Sequence, residues 1–348
     1  MSGTFPMRPA PHDVAPSSVG RIMRLVIYSL VPAIALHVFF FGTGLLIQIT
    51  LALLTALAAE ALALHLRRQP LRKFLTDGSA LITAILIAMC LPPLAPWWLV
   101  VSGTAFAIVV AKHLYGGLGS NPFNPAMVGY AVLLISFPAD LTRWLAPDIG
   151  GLQAQALGFA DTAFTIFSGQ LPDRLQWDAI TSPTPLNALR TGLSMGQTLQ
   201  EAVASPAFGT FGGRGWDWIN AAVLAGGLWL LALRVIRWHT PVAMLAGLTV
   251  PAAILCAIDP GMYPGPLFHL TAGASMLGAF YIATDPVSSA ASNRGKLIYG
   301  VGIGAVTYVI RTWGGYPDGV AFAVLLMNLA VPLIDRFTVP RIYGHERG

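Results

Sequence analysis

Residues 116–134 read GGLGSNPFNPAMVGYAVLL, with Asn121, Pro122, Asn124 and Pro125 at the entrance of an apolar run. Proline breaks a helix, and an unpaired amide in hydrocarbon is costly. Bent polar backbone at membrane depth persists only where protein or a water-filled cavity surrounds it. The stretch is therefore expected to help form a site. It also reads as a capping turn, with Asn124 as N-cap and Pro125 at the first helical position. The two readings are compatible.

The surrounding composition is that of a membrane protein. Hydrophobic residues make up 55% of the 348 and charged residues 10%, and the mean hydropathy is +0.67. A soluble domain carries roughly 25% charged residues. The net charge of +5 is no nucleic-acid signature, because the basic residues lie between apolar runs and near the termini. The first 20 residues are polar and rich in proline and serine, so no cleavable signal peptide is expected. Cys90 and Cys256 are isolated within or at the end of apolar runs, which defines neither a disulfide framework nor a metal site.

Ten apolar segments approach the length of a bilayer core: 23–41, 45–64, 79–91, 97–111, 125–137, 216–233, 242–258, 267–283, 297–310 and 320–334. The fold class is thus an all-α polytopic membrane protein. The third to fifth segments are short and interrupted by glycine or proline, a pattern that often lines binding sites. Basic residues set the orientation. Arg8, Arg21 and Arg24 precede the first segment. His65, Arg67, Arg68, Arg72 and Lys73 follow the second, Lys112 and His113 the fourth, and Arg234 and Arg237 the sixth. Arg294 and Lys296 follow the eighth; Arg336, Arg341 and Arg347 follow the tenth. All are cytoplasmic if both termini are. Arg311 is the exception, and the stretch 138–215 is external.

The halves resemble one another. Gly78-Ser79-Ala80-Leu81 can be laid on Gly273-Ala274-Ser275-Met276, with Ala84/Ala279, Ile87/Ile282 and Ala88/Ala283 in register. A similar offset places Gly116-Gly117 on Gly314-Gly315. Five spans per half is an odd number, so the second copy runs upside down and makes a 5+5 inverted repeat. The expected divisions are an N-terminal segment 1–22, repeats at 23–137 and 216–335, the external insertion 138–215, and a tail 336–348.

Few ionisable groups interrupt the apolar runs. Glu60 lies in the second segment, His37 in the first, Asp77 opens the third and Asp285 closes the eighth. Such groups are rare in membranes and often functional. Glu60 and Asp285 are candidates for an ion pathway. The alternatives are hydration near the cytoplasmic face, pairing of Glu60 with a neighbouring arginine, and a turn formed by Asp285 before Pro286. No spacing suggests zinc, a Walker loop or a dinucleotide fingerprint, and the glycines of the apolar runs suit close helix packing. In the external stretch, Thr184-Pro185 reads as a helix start. Such an N-terminus attracts phosphate, and a hydroxyl placed there can carry a phosphoester; a cap alone is the plainer reading.

Three segments in this order, residues 116–134, ATDPVSS at 283–289 and DAITSPTPL at 178–186, carry a resemblance. They resemble the family of D subunits of the Rnf (Rsx) electron-transport complex and its relative, the B subunits of the sodium-translocating NADH:quinone reductase. The likeness spans about residues 21–335. It implies FMN joined through its phosphate to a threonine of the external loop. The family's attachment pattern resembles Asp, two variable residues, Ser or Thr, Gly, Ala, Thr. Asp178, Thr181 and Thr184 fill the key places, while Ser182 and Pro183 replace the usual small pair. Thr184 is then the attachment point, with Asp178 and Thr181 as recognition residues and Asn121 and Asn124 as further cofactor-site residues. The short N-terminal region favours the Rnf protein over its reductase relative.

The resemblance further implies a noncovalent riboflavin between helices in some members, a flavin transferase for maturation, and other membrane and peripheral Rnf subunits as partners. It implies a bacterial inner-membrane location with the flavin loop periplasmic, and sodium or proton movement coupled to electron flow between ferredoxin and NADH sides. The chain is not expected to be catalytic alone. A cofactor-free inverted-repeat transporter or channel is the alternative, and a purely structural role in a complex is a third reading.

Overall fold

The computed structural model describes residues 19–148, 157–316 and 318–338. Arg8, Arg341, Arg347 and both outer tails lie outside the described residues. The described residues are helical, with only the isolated bridges Leu145–Thr181 and Phe208–Gly213 of β character. Four helices are long and apolar enough to cross a membrane: Val19–Phe41, Gly44–Leu66, His239–Ile258 and Val320–Thr338. At 1.5 Å per residue, a 23-residue helix such as Gly44–Leu66 reaches about 34 Å. Shorter apolar helices are Ser79–Cys90, Trp97–His113, Pro125–Ser136 and Trp216–Ala232. Asn293–Trp313 is a further 21-residue helix.

Local chemistry explains several boundaries. The Asp77 carboxylate accepts from both the backbone N–H and the hydroxyl of Ser79, starting the Ser79–Cys90 helix, and Pro92-Pro93 bars its extension. Trp97–Phe106 loosens into π-helix at Ala107–His113, so Lys112 and His113 belong to the helix and not to a following loop.

One expected span is not continuous. The segment 267–283 is broken into Pro266–Thr271, Ser275–Leu277 and a π-helical turn Gly278–Ile282. Gly273 at the break has φ +63°, a conformation side chains resist. The carbonyls freed there are taken by residues distant in sequence: Arg311 Nη1 donates to His269 O at 2.8 Å and Asn220 Nδ2 to Thr271 O at 2.7 Å. Arg311 is therefore no exposed outer-side charge. It is buried and paired with Asp318 at 3.0 Å, which removes it from the orientation signal.

The same packing pattern occurs twice. Gly44–Leu66 packs on Leu71–Leu75 and Trp97–Phe106, as His239–Ile258 packs on Pro266–Thr271 and Asn293–Trp313. Trp97–Phe106 packs on Pro125–Ser136, as Asn293–Trp313 packs on Val320–Thr338. Across the halves, Val19–Phe41 meets Trp216–Ala232, and Pro125–Ser136 meets Val320–Thr338. Glycines allow the closest approaches. A Cβ at Gly304 would lie 2.1 Å from Met244 O, and one at Gly226 would lie 2.3 Å from Ser29 O.

The described residues of the stretch 138–215 sit at one end. Asp148 N donates to Phe40 O, Leu199 N to Gly261 O, and Arg190 to Gly315 O. The opposite end gathers basic residues: Arg67 meets His113, and Arg237 bonds Asn293. The described loop residues and these basic pairs thus occupy opposite ends.

Candidate functional site

Two cavities lie between the halves. The loop-end cavity holds about 1190 Å³ of non-atom space, its open mouth included. Helices of both halves line it, through His37, Cys90 and Tyr130 from one and Trp216, Asn220 and Ala321 from the other. Thr184, Pro185 and Trp144 from the loop also line it. Its wall is mostly apolar and aromatic: Trp144 and Trp216 meet edge-to-face at 5.0 Å, and His37 lies against Phe41 at 5.0 Å and Trp216 at 6.1 Å. Both ring nitrogens of His37 are buried without a hydrogen-bond partner.

Thr184 is the N-cap of the Pro185–Ser194 helix, as its sequence predicts. Its hydroxyl oxygen accepts from Asn187 N across a long 3.4 Å contact. The residue is half-buried and lines the cavity where the loop meets it. Asp178 and Thr181 do not line this cavity. Asp178 is exposed on the short Trp177–Ile180 helix, and the Thr181 hydroxyl donates to Trp177 O at 2.8 Å. Thr181 is fixed by the Leu145–Thr181 bridge, and Ser182 N donates to Trp144 O. These bonds tie the Thr181-Ser182 segment to the tryptophan that lines the cavity.

Asn121 and Asn124 do not join Thr184. They line a second cavity at the basic end, of about 1520 Å³ counted in the same way, together with Ser79, Lys112, Asp285 and Lys296. Asn121 Nδ2 donates to Phe123 O at 2.9 Å and fixes the bend. Asn124 is the N-cap its sequence suggests, and it also reaches the other half. Its Oδ1 accepts from Met127 N at 3.2 Å as an N-cap, and its Nδ2 donates to Ile282 O of the other half at 3.4 Å.

Asp285 forms a turn: Oδ2 accepts from Ser288 Oγ at 2.8 Å and Oδ1 from Val287 N at 3.2 Å. It also faces the second cavity. Glu60 departs from the expected pairing with an arginine. It is 1% exposed and bonded to Lys112 Nζ at 2.5 Å, with His113 Nε2 at 3.4 Å. Lys112 also donates to Ser79 Oγ at 2.8 Å. The pair is separated by 52 residues, so no local spacing reveals it.

The arrangement also contains residues that sequence reasoning passed over. Asp318 accepts from Arg311 and from Ala274 N at 2.8 Å, and so clamps the broken segment to the last helix. Asn220 holds the same break from the other side. An Asp a few residues after the Gly314-Gly315 pair was the available signal, but its partners lie in other segments. No cluster among the described residues has metal-ligand character.

Known proteins resemble the chain throughout its length. A profile of the NQR2, RnfD, RnfE family matches residues 6–344. Curated relatives named as the D component of an ion-translocating oxidoreductase complex include one from Escherichia fergusonii, 49% identical over 99% of each chain. Another, from Vibrio cholerae, is 51% identical over 97% of this chain and 98% of its own. A third, from Yersinia enterocolitica, is 52% identical over 95% and 96%. By the extent of the profile match and the level of identity, the chain belongs to the NQR2, RnfD, RnfE family.

Proposed function

We propose that the chain is a membrane subunit of an Rnf-type ion-translocating oxidoreductase complex, carrying FMN through a phosphoester on Thr184. The observation that carries the reading is the position of Thr184, a weakly engaged hydroxyl at a helix N-terminus on the mouth of a large aromatic cavity. Phosphate suits that N-terminus, and ligand pockets of about 300–1,000 Å³ with apolar walls and a few polar groups are typical cofactor sites. The residues fit the group: Trp144 and Trp216 offer flat apolar contact, while His37 and Asn220 offer polar atoms. Bound flavin would supply the electron-transfer chemistry, and the protein would supply its position and electrostatics. Asp178, exposed one short helix upstream, is accessible to a flavin transferase.

A noncovalent riboflavin would sit between helices, in the second cavity, which Asn121, Asn124 and Asp285 help to line. Sodium or proton movement would be coupled to electron flow, with Asp285, which lines that cavity, and Glu60, bonded to the lining Lys112, as the acidic groups of the ion pathway. The duplicated packing pattern supports ten spanning segments in a 5+5 inverted repeat. Gly78 and Gly273, matched between the halves, both hold positive φ, +83° and +63°. The charge bias supports both termini in the cytoplasm and the loop outside, in the bacterial inner membrane among lipid and the other Rnf subunits. Two cavities stacked on either side of the Asn124–Ile282 contact also suit a cofactor-free transporter; covalent flavin on the purified chain separates the readings.

A further inference from the structure

The Phe159–Ser168 helix of the loop wears its side chains inside out. Thr162, Thr165 and Ile166 are buried, whereas Phe159, Phe164 and Phe167 are 64%, 50% and 55% exposed. With Ala160 and Ala163 between them, these phenylalanines form one continuous helical face. An outward stripe of this kind needs an apolar covering.

The helix carries little that demands water. Each of its hydroxyls donates one turn back along the helix: Thr162 to Gly158 O, Thr165 to Asp161 O and Ser168 to Phe164 O, at 2.9, 2.8 and 2.7 Å. Its one carboxylate, Asp161, accepts from Gly158 N and pairs with Arg174. The Arg174 hydrogen bond holds that carboxyl below the usual carboxylate range.

The location is equally specific. The helix packs on Gly44–Leu66, whose outer flank exposes Leu46 and Leu54. At the same loop end the spanning helices display exposed aromatics: Phe39, Trp97, Phe137, Trp218 and Trp313. Aromatic belts of this kind mark a membrane–water interface. We infer that Phe159–Ser168 is an interfacial helix, lying in the plane of the membrane with Phe159, Phe164 and Phe167 inserted among lipid acyl chains and headgroups. The lipid surface then anchors the loop that presents Thr184, independently of whether Thr184 carries flavin.

The test uses the full chain in lipid nanodiscs with Cys90 and Cys256 replaced by serine. Nitroxide labels are placed at Phe164→Cys, Phe167→Cys and, as a solvent control, Gln170→Cys. Labels at 164 and 167 should collide more with oxygen than with a water-soluble nickel chelate, and the label at 170 should do the reverse. Nickel access at 164 and 167 equal to that at 170 would overturn the inference. A bulk-preserving check replaces Phe164 with benzoylphenylalanine in the intact complex in native membranes. Ultraviolet light should then yield a phospholipid adduct on the chain. A protein adduct without lipid would assign the face to a partner protein and overturn the inference.

Discussion

Asn124 Nδ2 donates to Ile282 O, a contact of 3.4 Å between residues 158 apart in sequence. Asn124 lines the basic-end cavity and Ile282 the loop-end cavity, so this bond joins the halves where the two cavities approach each other. The same side chain caps its own helix.

Asn124→Leu removes both bonds. Loss of the cap alone costs about 1 kcal/mol, which a chain of this size should survive. Electron transfer through the complex should fall while assembly persists, and noncovalent flavin should be lost before the gel-stable flavin. Unchanged electron transfer in a fully assembled complex would reduce Asn124 to a cap.

Lys112 and Glu60 form a buried pair, and removing one member of such a pair costs about 3–5 kcal/mol. Glu60→Gln should therefore lower the yield of folded chain, and Glu60→Gln with Lys112→Met should recover most of it. Measuring ion transport in the recovered double variant then separates pairing from conduction. Normal transport there would remove Glu60 from the ion pathway.

Asp285→Asn keeps the size of the side chain and its acceptor for Val287 N while removing charge. Ion-dependent turnover should weaken with flavin content retained. Full ion dependence and pumping in the variant would leave Asp285 as the turn former that its bonds to Ser288 and Val287 describe.

Orientation is tested at Gln170, an exposed loop residue. Gln170→Cys should react with an impermeant thiol reagent applied to the outside of intact cells. Reaction only after the membrane is broken would invert the topology. Gln153, another position on the same loop, lies outside the described residues.

The reach of sequence reasoning followed the range of the forces involved. Helix limits at Pro125, Pro185 and Trp216 were legible because caps, prolines and apolar runs act within a few residues. The caps at Asn124 and Thr184 were legible for the same reason. The break at Gly273 was not, because hydropathy is blind to it; it persists through Arg311, Asp318 and Asn220, all distant in sequence. Lys112 read as a loop charge, because its partner Glu60 sits on another helix. The separation of Asn121 and Asn124 from Thr184 is likewise tertiary, since nothing local assigns two motifs to different cavities.

The central claim rests on one hydroxyl. A phosphoester survives denaturation, whereas flavin held by stacking and hydrogen bonds does not. The purified chain should fluoresce as flavin on a denaturing gel, and mass spectrometry should place one FMN mass on Thr184. Thr184→Val keeps the side-chain shape and removes the hydroxyl. It should abolish the signal with the chain still in the membrane, while Thr181→Ala retains at least some covalent flavin. Full gel-stable fluorescence in Thr184→Val, or the FMN mass on Thr181 or Ser182, would contradict the account.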